Sequence, residues 1–165
     1  MTLIPFAREI DKQCFEILFT IENYLRTIVR WELRGNNPFD WKGSIPQETI
    51  EDARKRQEQE SDIAYLDILE SGVLSYLTLS ELKDLILGPL WSTSFKLSWP
   101  PLDVVKSEFK KLIAVRNKLA HFRTITTRDI KVATRFAEDL ATWTEGYRNI
   151  RRYSSSINFG SSNPE

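Results

Sequence analysis

The chain has 165 residues, 41% hydrophobic and 12% aromatic, which suits one packed core and excludes a disordered polymer. Basic and acidic residues balance at 23 each, so no global field draws the protein to nucleic acid or to an anionic membrane. One cysteine, Cys14, and one histidine, His121, exclude an internal disulfide and a Cys/His zinc site, and no metal or cofactor is expected.

Near the N-terminus, Arg8, Glu9 and Asp11 interrupt any signal-peptide core, and no long uncharged apolar run follows. The expectation is a cytoplasmic protein with no membrane partner. From Ile10 to Trp31, the residues Ile10, Cys14, Ile17, Ile21, Tyr24, Ile28 and Trp31 alternate spacings of four and three, and Leu18 and Leu25 widen the stripe. This pattern predicts a long amphipathic helix. "RGNNP" (Arg34 to Pro38) should end it, with Gly or Asn accepting a left-handed cap and Pro blocking continuation. "SIPQ" (Ser44 to Gln47) has capping-box spacing and opens a polar segment, Glu48 to Asp62, which reads as a solvated helix or a mobile connection.

Thr78 and Glu81 repeat the capping-box pattern at the start of "ELKDLIL", and Gly88 with Pro89 stops that helix. After Trp99 to Pro101, a helix is predicted from Leu102 to His121. Its successor starts near "TTRD" (Thr126 to Asp129) and carries Ile130, Ala133, Phe136, Ala137, Leu140, Trp143 and Tyr147 on one side. No useful β-alternation or internal repeat appears. The economical reading is all-α, an up-and-down bundle of about four to six helices. Residues 1–152 form its single domain, and 153–165 have the composition of a flexible tail.

The charge is unevenly spread. Between Lys106 and Arg135 there are nine basic residues and two acidic ones, a local excess of +7. Within this stretch lies "RNKLAH", Arg116 to His121. On an ideal helix Arg116 falls near the centre of a stripe made by Val105, Phe109, Leu112 and Leu119, where a guanidinium needs an anion. His121 is about 140° away around the axis. The two residues therefore cannot face one target on one straight helix: either the helix ends or bends before His121, which the following "FRTITT" allows, or copies from a second subunit cooperate. Histidine as a residue type suits proton transfer near neutrality, although a helix-end histidine is more often a surface or capping group. Asn117 lies one turn before His121, and Lys118, Lys110, Lys111 and Arg123 are candidates for RNA or phosphate contacts.

"RNKLAH" resembles the motif of the HEPN superfamily (higher eukaryotes and prokaryotes nucleotide-binding domains), an Arg and a His separated by four to six residues, here Arg116 and His121. Asn117 matches the polar residue that commonly follows the Arg. The surroundings are similar too: a long first helix with "IENYLR", a polar connection, a short helix ending in Trp, the motif helix and one more helix. The resemblance covers roughly Phe6 to Arg148.

It implies a metal-independent endoribonuclease in which two motifs meet across a homodimer. His121 would assist attack of the ribose 2′-hydroxyl, Arg116 would stabilise the phosphorane, and Asn117 would orient one or the other. Glu22 and Arg26 on the first helix are auxiliary candidates that an ordinary ion pair explains equally well. Such nucleases often act as toxins or in antiviral defence under an antitoxin or regulatory partner. A chain of this length is expected to leave no room for a fused regulator. Two other readings remain open: a non-catalytic HEPN-like dimer that binds RNA, a nucleotide or a protein, and a structural bundle whose Arg116 pairs with Glu22 or Glu32.

Overall fold

The computed structural model of the protein describes residues 7–61 and 72–155. Within them the chain is an all-α bundle and contains no strand. Its helices are α1 (Glu9–Asn36), α2 (Gln47–Ser61), α3 (Leu79–Leu87), α4 (Leu102–Ala120) and α5 (Thr127–Ser155). Short 3-10 turns at Trp41–Ser44 and Val73–Tyr76 and a π-helical turn at Trp91–Phe95 join them. None of the described helices is long and apolar enough to cross a membrane.

α1 buries Cys14, Leu18, Ile21, Leu25, Ile28, Val29 and Leu33, while Ile10, Ile17 and Tyr24 sit at the edge of that stripe. Trp31, expected on the buried face, is 62% exposed. The stripe drifts with the 100° step, so Val29 and Leu33 take over from it. The helix end also differs from expectation. Gly35 and Asn36 stay helical, and Asn37 caps at φ −143°, outside the left-handed region. Ser44 belongs to a 3-10 turn, and α2 begins at Gln47, so "SIPQ" does not form the expected box.

The second box does form. Thr78 Oγ1 accepts from the Glu81 N–H at 3.3 Å, and a Glu81 carboxylate oxygen accepts from the Thr78 N–H at 2.7 Å. Arg56 then gives the polar helix α2 a fixed seat. Its guanidinium donates to both Glu81 oxygens at 2.8 and 2.9 Å and to the Tyr76 carbonyl at 2.7 Å. With Ile50 and Ala53 buried, α2 is thus an integral element and not a loose connection. "ELKDLIL" ends at Leu87 with Gly88 as its cap, and Trp91 opens the next turn, beyond the helix it was expected to finish.

α4 and α5 pack antiparallel. Phe109 meets Phe136 edge-on at 5.0 Å, and contacts continue from Phe136 to Trp143 at 5.8 Å, to Trp99 at 5.3 Å and to Phe95 at 4.5 Å. This aromatic column joins the last two helices to the segment before α4. α1 is tied to α5 by Tyr24, whose hydroxyl meets Thr144 Oγ1 at 3.0 Å. α5 continues to Ser155, and residues 156–165 and the side chain of Tyr147 lie outside what is described.

Burial alone pushes the Glu81 carboxyl up, but the Arg56 guanidinium and the Thr78 donors outweigh it, leaving Glu81 below the usual range. A carboxylate with a depressed folded pKa contributes stability above its unfolded pKa, about 4.3, and loses it as pH falls through the folded value. Glu81→Gln should cost about 1–3 kcal/mol at pH 7 in urea unfolding. Its deficit against the parent protein should shrink as pH falls below about 4.

Candidate functional site

The end of α4 is set by its backbone. The Arg123 N–H bonds to the Lys118 carbonyl at 2.8 Å and the Phe122 N–H to the Leu119 carbonyl at 3.1 Å. These two bonds make a Schellman turn with His121 as the C-cap. The left-handed residue of the turn, usually glycine, is Phe122 at φ 52°. An L-residue held there costs about 1–2 kcal/mol, and the Phe122 ring gains no burial in return, being 98% exposed.

Thr126 begins the next helix. Its N–H and hydroxyl donate to an Asp129 oxygen at 2.9 and 2.8 Å, and its Oγ1 accepts from the Asp129 N–H at 3.3 Å. Lys118 reaches across to both Asp129 oxygens at 2.8 and 3.1 Å. Burial pushes the Asp129 carboxyl up, and Lys118 with the Thr126 donors brings it below its ordinary value. Arg8 adds a third tether, donating to the Ile125 carbonyl at 2.9 Å while pairing with Asp11 at 2.7 Å. The short α4–α5 connection is therefore held from both helices and from the start of α1.

Arg116 is half-exposed at the edge of the buried stripe, and its Nε lies 3.4 Å from a Glu22 oxygen. The expected position at the centre of the stripe is taken by Val115, which is buried with Val105, Phe109 and Leu112. Glu22, not Glu32, is the acid that faces Arg116. Glu22 also lies 3.8 Å from Arg26. Arg26 itself holds the turn before α3, donating to the Leu74 and Leu77 carbonyls at 3.0 and 3.1 Å and to Asn23 at 2.8 Å. It is occupied by the fold.

Arg116 and Glu22 open onto a groove of about 1300 Å³ between α1 and the end of α4. Arg123 also lines it; Asn117, Lys118 and His121 do not. Its apolar lining includes Phe15, Phe19 and Phe122, which are 58%, 59% and 98% exposed, and the first two rings stack at 5.9 Å. The charges lining the groove nearly cancel: Arg8, Lys12, Arg116 and Arg123 face Asp11, Glu16 and Glu22.

Asn117 and His121 are exposed on the outer side of α4, and the His121 N–H bonds to the Asn117 carbonyl at 3.1 Å. The two ends of "RNKLAH" thus open onto different surfaces of one chain, as the 140° rotation requires. Of the four candidate phosphate contacts, Lys118 is held by Asp129 and Lys111 by Glu108 at 2.6 Å. Lys110 and Arg123 are exposed with no acidic partner among the described residues. No group of three or more His, Cys, Asp and Glu residues among the described residues could hold a metal ion.

Sequence reasoning missed the aromatic groove. Phe15 and Phe19 are four apart and could have been read as a second apolar stripe on the first helix. Phe122 gives no such signal, because its exposure follows from the left-handed turn. No protein-family model matches the chain, nor does any curated protein or solved structure.

Phe122→Gly should relieve the left-handed strain and raise Tm by about 2–4 °C in a thermal melt. Arg116→Ala should cost less than about 1 kcal/mol in urea unfolding, since the Glu22 contact is long and partly solvated.

Proposed function

We propose that the protein is a HEPN-type endoribonuclease whose active site is assembled from two copies of "RNKLAH" across a homodimer. The observation that carries this reading is the placement of Arg116. A half-exposed guanidinium in a loose 3.4 Å pair lines an aromatic groove that none of the described residues fills. A residue kept only for stability would be expected in a shorter, more buried pair.

The groove has the chemistry of a protein contact. Exposed aromatics with nearly balanced charge suit a self-complementary surface, in which acidic groups of one copy can meet basic groups of the other. Packing two copies there would bring Arg116 and Arg123 of both chains to the two-fold axis. Asn117 and His121, which end on the neighbouring face of α4, would stand at its rim.

The chemistry then follows from residue types. His121 takes a proton from the ribose 2′-hydroxyl or supplies one to the leaving 5′ oxygen. Arg116 holds the charge that builds on the phosphorane. The products are a 2′,3′-cyclic phosphate and a 5′-hydroxyl, and no step requires a metal. Asn117 orients His121 or the phosphate. Glu22 is an auxiliary group that holds Arg116 until phosphate displaces it. In this reading the enzyme works in the cytoplasm as a toxin or a defence effector, and an antitoxin or other regulatory protein restrains it.

A non-catalytic dimer that binds RNA through the same face is the second reading, favoured by Arg123, which is exposed and has no acidic partner among the described residues. Cleavage of single-stranded RNA in EDTA separates the two. Arg116→Ala and His121→Ala proteins that remain folded should each lose at least about 100-fold in rate. A strand with deoxyribose at the scissile position should resist cleavage. Undiminished cleavage by either variant, or cleavage of the deoxy strand, contradicts the proposed chemistry.

A further inference from the structure

The outer side of α4 carries a surface that the groove does not account for. Lys106, Lys110, Asn117 and His121 fall within about 60° of one another around the helix axis. All four are exposed. Between Lys110 and Asn117 the same stripe holds only Ile113 and Ala114, so no acid interrupts it. Asp103, one turn before Lys106, marks its far end.

Neither lysine has an acidic partner among the described residues, whereas the basic residues on the other sides of α4 do. Lys111 is held by Glu108, Lys118 by Asp129 and Arg116 by Glu22. The basic residues on the other sides of α4 are thus each engaged by an acid, and the two lysines on this side are not, among the described residues. The stripe is a line of two free ammonium groups leading to an amide and an imidazole.

We propose that a single RNA strand lies along this stripe, its phosphates on Lys106 and Lys110 and its scissile linkage at the His121 end. The proposal rests on the ribonuclease reading above and adds the substrate's path and minimum length. At 1.5 Å per residue, Lys110 and Lys106 lie about 16 and 22 Å along the axis from His121. At about 3.4 Å per stacked nucleotide, these distances correspond to about five to seven nucleotides. A trinucleotide reaches the histidine and neither lysine. An acidic protein segment is the competing ligand for two lysines alone, but it gives no reason for them to share a stripe with His121 and Asn117.

The test is the double variant Lys106→Glu/Lys110→Glu, with Lys131→Glu on the exposed side of α5 as the control. Binding of an uncleavable 2′-O-methyl strand of about 15 nucleotides should weaken about tenfold or more in the double variant. The slope of log K against log salt should flatten by about 1.4, the share of two phosphate contacts on a single strand. The ratio of kcat/KM for a cleavable strand of that length to kcat/KM for a trinucleotide should fall about tenfold. Lys131→Glu should leave binding within about twofold.

Equal weakening in the double variant and the control would overturn the track by showing a general charge effect. Unchanged binding in the double variant, or no binding by the parent protein, would overturn it as well. If the parent binds the strand, the double variant loses it and neither protein cleaves RNA, the track stands and the ribonuclease reading fails.

Discussion

Arg116 and His121 stand five positions apart at the end of α4, with four residues between them, and the proposed function depends on that spacing. The backbone turns about 100° per residue, so the two side chains leave α4 about 140° apart. The Schellman turn fixes the arrangement, because it ends the helix at His121 and sends the chain back toward Thr126 before the histidine can swing round. In the proposed dimer, a second copy would supply the missing geometry. The same turn forces Phe122 into a left-handed conformation and out into the groove, coupling the end of the motif helix to the surface proposed to meet that copy.

Charge is sorted as strictly as geometry. Of the nine basic residues between Lys106 and Arg135, four are in ion pairs: Lys111, Arg116, Lys118 and Arg135. The pairings are not equivalent. Lys118 is tied to a nearly buried acid that also caps α5, so its charge serves the fold. Arg116 is held loosely by one acid on α1, at 3.4 Å, and stays partly open to solvent. The free lysines stand on the outside of the bundle, away from the nearly neutral groove. An aromatic, nearly neutral surface and a surface with two exposed lysines thus occupy adjacent sides of one helix.

Much of the architecture was legible in the sequence because it rests on local rules. Thr78 with Glu81 and Thr126 with Asp129 announce helix starts through side chain and backbone groups three residues apart, and both form. The all-α class follows from periodicity alone. Features that depend on tertiary contacts were not legible. Ser44 has the spacing of a cap, yet the 3-10 turn at Trp41–Ser44 claims it. The segment after it looked like solvated charge, and only the long-range partner Glu81 shows that Arg56 anchors it. Arg116 was placed at the centre of an apolar stripe because an ideal wheel cannot know that α1 leaves that edge open. At the site, the motif and its 140° problem were visible in six letters. The aromatic groove was not, since it depends on how α1 and the end of α4 diverge.

If Arg116 and His121 of different chains act together, mixing two inactive proteins should restore activity. Arg116→Ala and His121→Ala chains carrying different affinity tags would be mixed, allowed to exchange, and purified through both tags. The mixed dimer retains one Arg116 and one His121, on opposite chains. The account predicts that EDTA-resistant RNA cleavage, absent from either variant alone, appears in this species. A purified mixed dimer that remains as inactive as its parents would contradict it.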